Sequence, residues 1–341
     1  MPFLAHFGLK EHPFTLMPNT EYFFPAHQYA SIMASLKGAL ERETGIIKVV
    51  GEIGTGKTLL CRMLLRSLIE SEVVAYVNAP QADERMIVRT VLAEFGLTMR
   101  PGTNPYGTLS NFLIEQHALG RRVVLVVDEA QALGRAGLEA IRLLSNLESE
   151  RSKLLQIVLF GQTELDDLLA DPALRQLNQR IAFSFSTQPL TRAETRRYIE
   201  HRLQISRRPG VQFRVFDTKA LDLIAHASRG TPRVINILAD KALLAAFSAG
   251  SPQVRAEHAE EAVADSPTLV RRLPLFRRAL GRRLLWGVIA LELVAAAAVV
   301  LWLAGLMPGV ASERASLHTP SLLSWLGKAR PPDPDIAAGG P

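Results

Sequence analysis

The first half of the chain alternates short apolar runs with segments of helical periodicity. Five of the runs are rich in Val, Ile, Leu or Phe: IIKVV (46–50), VVAYV (73–77), VVLVV (123–127), QIVLF (156–160) and IAFSF (181–185). Strands that are apolar along their whole length are buried on both faces, as in a parallel sheet covered by its connecting helices. The pattern therefore predicts an α/β domain, a parallel sheet between layers of helices, over residues 31–187.

The pattern after the last of these runs is helical only. Thr191 and Glu194 have the spacing of a capping box, which marks the start of a helix. Helical periodicity continues from there, so we predict a smaller all-helical domain over residues 188–265. Residues 1–30 carry aromatic side chains at irregular spacing. We predict that they form an N-terminal strap over the α/β domain, and the alternative is a peptide that docks a partner.

A 23-residue apolar stretch lies near the C-terminus, over residues 284–306, and Glu292 is its single charged residue. About 20 apolar residues are enough for one helix to cross a bilayer. Six arginines and no acid lie in the thirteen residues before it. Positive residues favour the cytoplasmic side of a membrane. We therefore predict a basic juxtamembrane linker (266–283), one transmembrane helix (284–306) and a short, disordered tail (307–341) across the membrane.

The positive charge of the chain is local. The 39 Lys and Arg residues exceed the 33 Asp and Glu residues by the number of arginines beside the apolar stretch. The rest of the chain is balanced, which does not indicate a nucleic-acid partner. The arginines either fix membrane topology alone or also gather anionic membrane lipid. The single cysteine, Cys61, lies in an apolar helical run and excludes a disulfide framework within the chain, which fits a reducing compartment.

The segment GEIGTGKT follows the first apolar run and opens a helical segment, so G-x-x-x-x-G-K-[ST] occurs in its required setting. The glycines let backbone N–H groups approach phosphate oxygens, Lys57 supplies a positive charge, and the Thr58 hydroxyl can bind Mg²⁺. We therefore predict a site for ATP and Mg²⁺. Its residues are Gly51, Glu52, Ile53, Gly54, Thr55, Gly56, Lys57, Thr58 and Leu59.

Polar residues follow three of the predicted strands. VVLVVDEAQ carries Asp128 and Glu129 at the carboxyl edge, where ligands bind in open α/β sheets. We predict that Asp128 binds Mg²⁺ with Thr58 and that Glu129 is the general base for the attacking water. Gln162 follows QIVLF and either hydrogen-bonds the γ-phosphate or the water, or is an ordinary loop amide. Asn78 follows VVAYV and either orients Glu129 or starts a turn.

Three arginines are candidates for contact with phosphate. Arg180 precedes the last apolar run, and Arg175 lies about one and a half helical turns earlier. An arginine at a subunit edge can stabilise phosphoryl-transfer charge in a neighbouring site. An ordinary surface position is the alternative for both. Arg233, in RGTPRVIN, lies in the first turn of a predicted helix, where a cation opposes the helix dipole and an anionic partner is favoured.

These motifs together carry a family resemblance. GEIGTGKT, VVLVVDEAQ, the strand-end Gln162, QRI and GTPR resemble an AAA+ ATPase. The segments HFGLKEHPFTLMPNTEYFF, KLLQIVLFGQTELDDLL and LRQLNQRIAFSF narrow the resemblance to the ExeA/GspA-like family of type II secretion and MSHA-type pilus biogenesis. Within that family the chain is most similar to MshM-like proteins. The resemblance covers residues 4–265 and implies a P-loop core with sheet order 5-1-4-3-2, followed by a helical lid.

The resemblance also implies roles by motif position. Lys57 and Thr58 belong to Walker A, and Asp128 and Glu129 belong to Walker B. The remaining three are Gln162 as sensor 1, Arg180 as arginine finger and Arg233 as sensor 2. GspA-like relatives carry a periplasmic peptidoglycan-binding domain after the membrane helix. Residues 307–341 are too short for one, which puts direct cell-wall binding by this chain in question.

The sequence therefore predicts a single-pass protein of the bacterial inner membrane, with a cytoplasmic Mg²⁺-dependent ATPase domain and a periplasmic tail. The resemblance implies a homo-oligomer, in the form of a ring, that drives assembly of envelope secretion or pilus proteins. One alternative is a DNA-handling AAA+ ATPase of the transposition type, which would need a basic face or a DNA-reading domain. Another is a nucleotide-gated scaffold with slow turnover, against which Glu129 argues.

Overall fold

The computed structural model describes residues 2–78, 84–98, 102–148, 153–210 and 213–270. Within that part of the chain, no helix is both long enough and apolar enough to cross a bilayer. The predicted membrane helix, the arginine cluster before it and the tail after it lie outside the described residues.

A five-stranded sheet organises the α/β domain. Its strands are β1 (Ile46–Gly51), β2 (Val73–Asn78), β3 (Val123–Asp128), β4 (Gln156–Gly161) and β5 (Ile181–Thr187). Neighbouring strands are parallel, and their order is β2-β3-β4-β1-β5. This is the predicted order read from the opposite edge, so the prediction of a parallel α/β sheet is confirmed.

Each strand continues past the apolar run that predicted it, and the added residues include polar ones. Asn78 lies beside Asp128 in the pairing of β2 with β3, and Gly51 lies beside Thr187 in the pairing of β1 with β5. The ladder continues there because backbone hydrogen bonds do not depend on side-chain polarity. The polar ends of the strands therefore meet along one edge of the sheet.

Helices connect the strands and, with the turns and loops between them, form the rest of the described chain. They are α1 (Pro2–His6), α2 (His27–Glu41), α3 (Lys57–Leu68), α4 (Glu84–Glu94), α5 (Pro105–Ala118), α6 (Gly134–Leu144), α7 (Glu164–Leu169), α8 (Arg175–Gln179), α9 (Arg192–Ser206), α10 (Thr218–Ser228), α11 (Pro232–Ser248), α12 (Ala256–Ala264) and α13 (Pro267–Val270). Short 3₁₀ turns occupy Thr20–Tyr22, Ala130–Leu133 and Pro172–Leu174. The capping box that marks the start of α9 is present, with Thr191 and Glu194 as its two members.

Both faces of the sheet are covered. Val127 and Ile157 pack with buried residues of α4, α5 and α6 in one apolar cluster. Helix α3 contacts β1, β3 and β4, and its buried Leu60, Cys61 and Leu64 lie outside that cluster, on the opposite face. Burial from two sides explains why β1, β3 and β4 are buried at every position. Burial also raises the pKa of the Cys61 thiol, which makes it unreactive.

The N-terminal strap contacts the helical region as well as the α/β domain. Leu9 forms a backbone bridge with Arg207 just after α9, and the buried Arg202 of α9 donates from Nε to the Pro13 carbonyl at 2.5 Å. Further along, Pro18 accepts from the Arg62 guanidinium of α3 at 2.6 Å. The strap therefore passes from α9 to α3, and its later part contacts both, because Tyr22 and Phe23 hydrogen-bond Ser206 and His201 of α9.

The passage from β5 to α9 is fixed by two contacts. Gln28 of α2 holds Gln188 through its side-chain amide, which donates to the Gln188 carbonyl at 2.7 Å and accepts from its N–H at 2.8 Å. Leu190 then donates its backbone N–H to the Gly230 carbonyl at 2.8 Å. Gly230 has a φ of +76°, and a Cβ built on it would lie 1.8 Å from the Leu190 carbonyl oxygen. Only glycine therefore fits at this contact.

Candidate nucleotide-binding site

The loop between β1 and α3 is held by close backbone contacts. A Cβ on Gly51 would lie 2.0 Å from the Thr187 hydroxyl oxygen. That hydroxyl is 2.8 Å from the hydroxyl of Thr55, which also donates to the Glu52 carbonyl at 2.8 Å. Gly54 and Gly56 have positive φ angles of +82° and +93°. The loop is thus shaped around the end of β5, and its glycines allow the shape.

Lys57 is buried beneath this loop. Its ammonium donates to the carbonyls of Gly51 at 2.7 Å and Glu52 at 2.9 Å. Desolvation by burial lowers the pKa of Lys57, and the nearby carboxylates of Glu129 and Asp128 oppose that effect. A buried ammonium needs hydrogen-bonding partners, and phosphate oxygens could replace the two carbonyls.

Asp128 is buried at the end of β3 beside α3. Its carboxylate accepts from the Glu129 N–H at 3.0 Å, and the Thr58 side chain lies near it. Desolvation by burial raises the pKa of Asp128, and the neighbouring Glu129 charge adds to the rise. Mg²⁺ is held in proteins by one or two carboxylates, with waters and substrate phosphates filling its other positions. A carboxylate and a hydroxyl close together fit that ion.

Tyr76 of β2 was missed by the sequence analysis. Its hydroxyl lies near the Asp128 carboxylate, and burial raises the pKa of Tyr76 to about 12, so it is neutral at pH 7. The pairing of Asn78 with Asp128 places Tyr76 on the same face of the sheet, two residues earlier. The register between β2 and β3 could have identified Tyr76 from the sequence, but using it requires knowing that these two strands are neighbours.

We predict that Asp128→Asn stabilises the protein at pH 7. Because burial raises the pKa of Asp128, its ionised form destabilises the folded state above the unfolded-state value of about 3.9. Asparagine keeps an acceptor for the Glu129 N–H without the charge. Thermal unfolding should show a higher Tm for Asp128→Asn at pH 7, and the difference should vanish near pH 4. The exposed Asp167 of α7 supplies a control, and Asp167→Asn should not change Tm in this way.

Glu129 adopts a left-handed backbone conformation, with a φ of +52°. Its Oε2 accepts from the side-chain amides of Gln131 at 2.5 Å and Gln162 at 3.0 Å. Gln131 also accepts the Gln162 backbone N–H at 2.9 Å. In the described part of the chain, the amides that reach Glu129 are therefore those of Gln131 and Gln162, rather than that of Asn78. Gln131 was missed by the sequence analysis, although it stands in VVLVVDEAQ.

The helical region reaches this site at the start of α11. Arg233 donates its backbone N–H to the Gly54 carbonyl at 3.2 Å. A Cβ on Gly54 would lie 2.7 Å from Cβ of Arg233, so a glycine is needed where α11 meets the loop. A cavity of about 360 Å³ lies between them. Its lining includes Leu16, Met17, Ile53, Gly54, Gly56, Lys57, Thr58, Leu59, Glu129, Gln162 and Arg233.

Arg180 lies apart from this cavity. Its guanidinium is exposed and donates to the hydroxyl of Ser145, at the end of α6, at 3.1 Å. Arg175, at the start of α8, is also exposed. Of the predicted phosphate contacts in the described chain, the structure therefore brings together Lys57, Gln162 and Arg233 but not Arg180.

Comparisons with known proteins place these features in context. A family model described as an AAA domain matches residues 40–169. The chain is 38% identical over 251 residues to general secretion pathway protein A of Aeromonas hydrophila. That match covers 73% of this chain but only 45% of the relative, so the chain spans less than half of the relative's length.

Solved structures give a second comparison. The ADP form of the ORC2 protein of Aeropyrum pernix matches with a TM-score of 0.58 and 16% identity, over 78% of this chain and 75% of that one. Cdc6p of Pyrobaculum aerophilum matches with a TM-score of 0.55 and 18% identity, over 80% and 74%. At such identities the likeness shows the fold alone.

Proposed function

Because the chain belongs to the AAA+ ATPases of the ExeA/GspA-like family, we propose that it hydrolyses ATP to drive assembly of an envelope secretion or pilus machine. The AAA+ fold is a nucleotide-binding fold. We further propose that the chain hydrolyses ATP, that a membrane helix anchors it and that it serves a secretion or pilus machine.

One observation carries the proposal. Lys57, Glu129 and Gln162 of the α/β domain surround one cavity together with Arg233 of the helical region. A phosphate-binding lysine, a carboxylate and an amide are the groups that P-loop enzymes use to hold a triphosphate and orient water. An arginine on the opposite wall supports a site that senses whether the γ-phosphate is present.

The chemistry follows from what each side chain can do. Lys57 exchanges the carbonyls of its own loop for phosphate oxygens. Thr58 and Asp128 would hold Mg²⁺, which offsets phosphate charge when bound. Glu129 accepts a proton from the attacking water, and Gln162 holds that water or the γ-phosphate by hydrogen bonding.

The helical region acts as a lid in this proposal. The first turn of α11 rests on the nucleotide-binding loop through the Arg233 and Gly54 backbones, so a change at the loop changes the support of the lid. Arg233 attracts the γ-phosphate of bound ATP. This attraction weakens when hydrolysis releases that phosphate. ATP and ADP therefore hold the lid at different angles relative to the α/β domain.

Arg180 is proposed as an arginine finger that acts on a neighbouring subunit. Its exposed guanidinium does not line the cavity of its own chain, as expected for a residue that serves another site. Such a finger makes hydrolysis depend on assembly. We propose a homo-oligomeric ring for this reason, and the name of the Aeromonas relative supports a secretion role.

Membrane attachment is proposed from the sequence. Residues 284–306 are apolar enough to cross a bilayer, and the arginines before them favour a cytoplasmic ATPase domain with residues 307–341 in the periplasm. The same arginines are the part of the chain suited to anionic lipid.

We expect Lys57→Ala to weaken ATP binding by about tenfold or more, because a charge-assisted hydrogen bond contributes about 1.5–3 kcal/mol. Equilibrium binding of a fluorescent ATP analogue measures the effect. Lys37→Ala, at an exposed position on α2, is the matched control and should bind like the wild type. Equal affinity of Lys57→Ala and wild type would exclude Lys57 as a phosphate contact.

The proposed ATPase activity is tested by phosphate release from the detergent-solubilised chain over a range of protein concentrations. If the site is completed by a neighbour, the rate per subunit rises with concentration as subunits assemble. Absence of turnover at every concentration, with ATP binding intact, would replace this proposal with the nucleotide-gated scaffold.

A further inference from the structure

The Gln131 side chain lies between the ends of two neighbouring strands. It stands in the 3₁₀ turn Ala130–Leu133 that follows β3, and its side chain reaches the end of β4. Its Nε2 donates to Oε2 of Glu129 at 2.5 Å, and its Oε1 accepts the backbone N–H of Gln162 at 2.9 Å. Both ends of this one amide are therefore used, one on each strand end.

The backbone around Gln131 makes room for this arrangement. Gly161 ends β4, and a Cβ there would lie 3.2 Å from the Gln131 Oε1 and 2.7 Å from the Leu165 side chain. A larger residue at Gly161 would push against the amide that holds Gln162. Room for the Gln131 side chain is thus built into β4 as well as into the turn after β3.

A third hydrogen bond joins Gln162 directly to Glu129. Gln162 donates from its own Nε2 to the same Oε2 of Glu129, at 3.0 Å. Two donors on Oε2 fix the rotation of the carboxylate about its last bond and leave Oε1 as the oxygen that can take a proton from water. Glu129 needs this support, because residues other than glycine rarely adopt its left-handed backbone conformation.

We propose that Gln131 is a positioning residue for ATP hydrolysis, an inference that rests on the proposed function. It holds the Glu129 carboxylate and the Gln162 backbone in one fixed relation, so that base and amide face the same water. A shift of Gln162 toward the γ-phosphate is then transmitted through Gln131 to Glu129. The residue contacts no phosphate and acts through these two.

A purely structural role for Gln131 would change binding and turnover in a different way. If its amide only joined two strand ends, its loss would lower Tm and weaken ATP binding and turnover together. A positioning role affects kcat while KM and ATP affinity stay close to the wild type, because substrate contacts are intact.

Two variants of similar size test the inference. Gln131→Met removes both hydrogen bonds and keeps the volume, and we expect kcat to fall about tenfold or more, with KM little changed, as for lost orientation of a general base. Gln131→Glu keeps an acceptor for the Gln162 N–H but places a second carboxylate beside Glu129. Because the new carboxylate cannot donate to Oε2 of Glu129, we expect kcat to fall here as well, with KM little changed.

Wild type, Glu129→Gln and Gln176→Met are measured beside them, the last changing an exposed glutamine of α8. An unchanged kcat in both variants, or losses of kcat and ATP affinity in parallel with Tm in both variants, would overturn the positioning role while the wild-type activity stands. If the wild type itself shows no turnover, the proposed function fails and this inference fails with it.

Discussion

Glu129→Gln should bind ATP as tightly as the wild type and lose about a hundred- to ten-thousandfold in turnover, the range for removing a general base. The substitution keeps the size of the side chain and an oxygen that can accept from Gln131 and Gln162, so the loop and cavity should be preserved. It removes the ability to take a proton from water. Steady-state phosphate release measures turnover, and equilibrium binding of an ATP analogue measures affinity. Retained turnover would remove Glu129 from the mechanism.

A mixture of two inactive variants extends this prediction. Arg180→Ala should also be inactive, because its neighbour's site then lacks a finger. In a mixed oligomer, a Glu129→Gln subunit can still present Arg180 to an Arg180→Ala subunit that has an intact Glu129. Some turnover should therefore return on mixing. Arg175→Ala, at the exposed start of α8, is the control and should be active alone. A mixture that stays inactive would argue against a site shared between subunits.

Gly230→Ala should be the most destabilising of the single substitutions considered. The new Cβ would lie 1.8 Å from the Leu190 carbonyl oxygen, a backbone atom that cannot turn away. An L residue at positive φ costs about 1–2 kcal/mol, and relieving an overlap costs about 1–3 kcal/mol more. The start of α11 should shift, and Arg233 should move with it. Thermal unfolding and ATP turnover should both show a large loss.

Gly250→Ala separates the free-energy cost of an L residue at positive φ from the cost of the overlap with Leu190. Gly250 also has a positive φ, +65°, but a Cβ there would meet nothing within 4 Å. It should therefore show only the backbone cost, with ATP turnover close to that of the wild type. Equal destabilisation by the two substitutions would mean that the contact between Gly230 and Leu190 does not hold the lid in place.

Much of the α/β domain could be predicted because its signals are local. Continuous apolar runs identify strands that are buried from both sides, and the sequence analysis placed all five strands of the described sheet. The strand order came with the family resemblance rather than from periodicity, since an apolar run does not specify its neighbours. The same limit hid Tyr76, whose contact with Asp128 exists because β2 lies beside β3.

The candidate site shows a second limit. Asn78 and Gln131 are both amides near a strand end, and the sequence analysis considered Asn78 alone, either as a partner of Glu129 or as the start of a turn. The structure selects Gln131, because a short turn after Glu129 brings its side chain back over the end of β4. The contact between Arg202 and the N-terminal strap was harder to predict, because its acceptor is the backbone carbonyl of Pro13. A backbone acceptor is present at every residue and leaves no mark in the sequence.

The path of the strap has a mechanical consequence. The chain passes from the helical region to the α/β domain between Pro13 and Pro18, but Tyr22 and Phe23 then hydrogen-bond Ser206 and His201 of α9. The segment from Gln188 to Leu190 links the two parts again after β5. The strap therefore holds the helical region at more than one place, and a cut between Thr15 and Pro18 would leave the Tyr22 and Phe23 contacts intact.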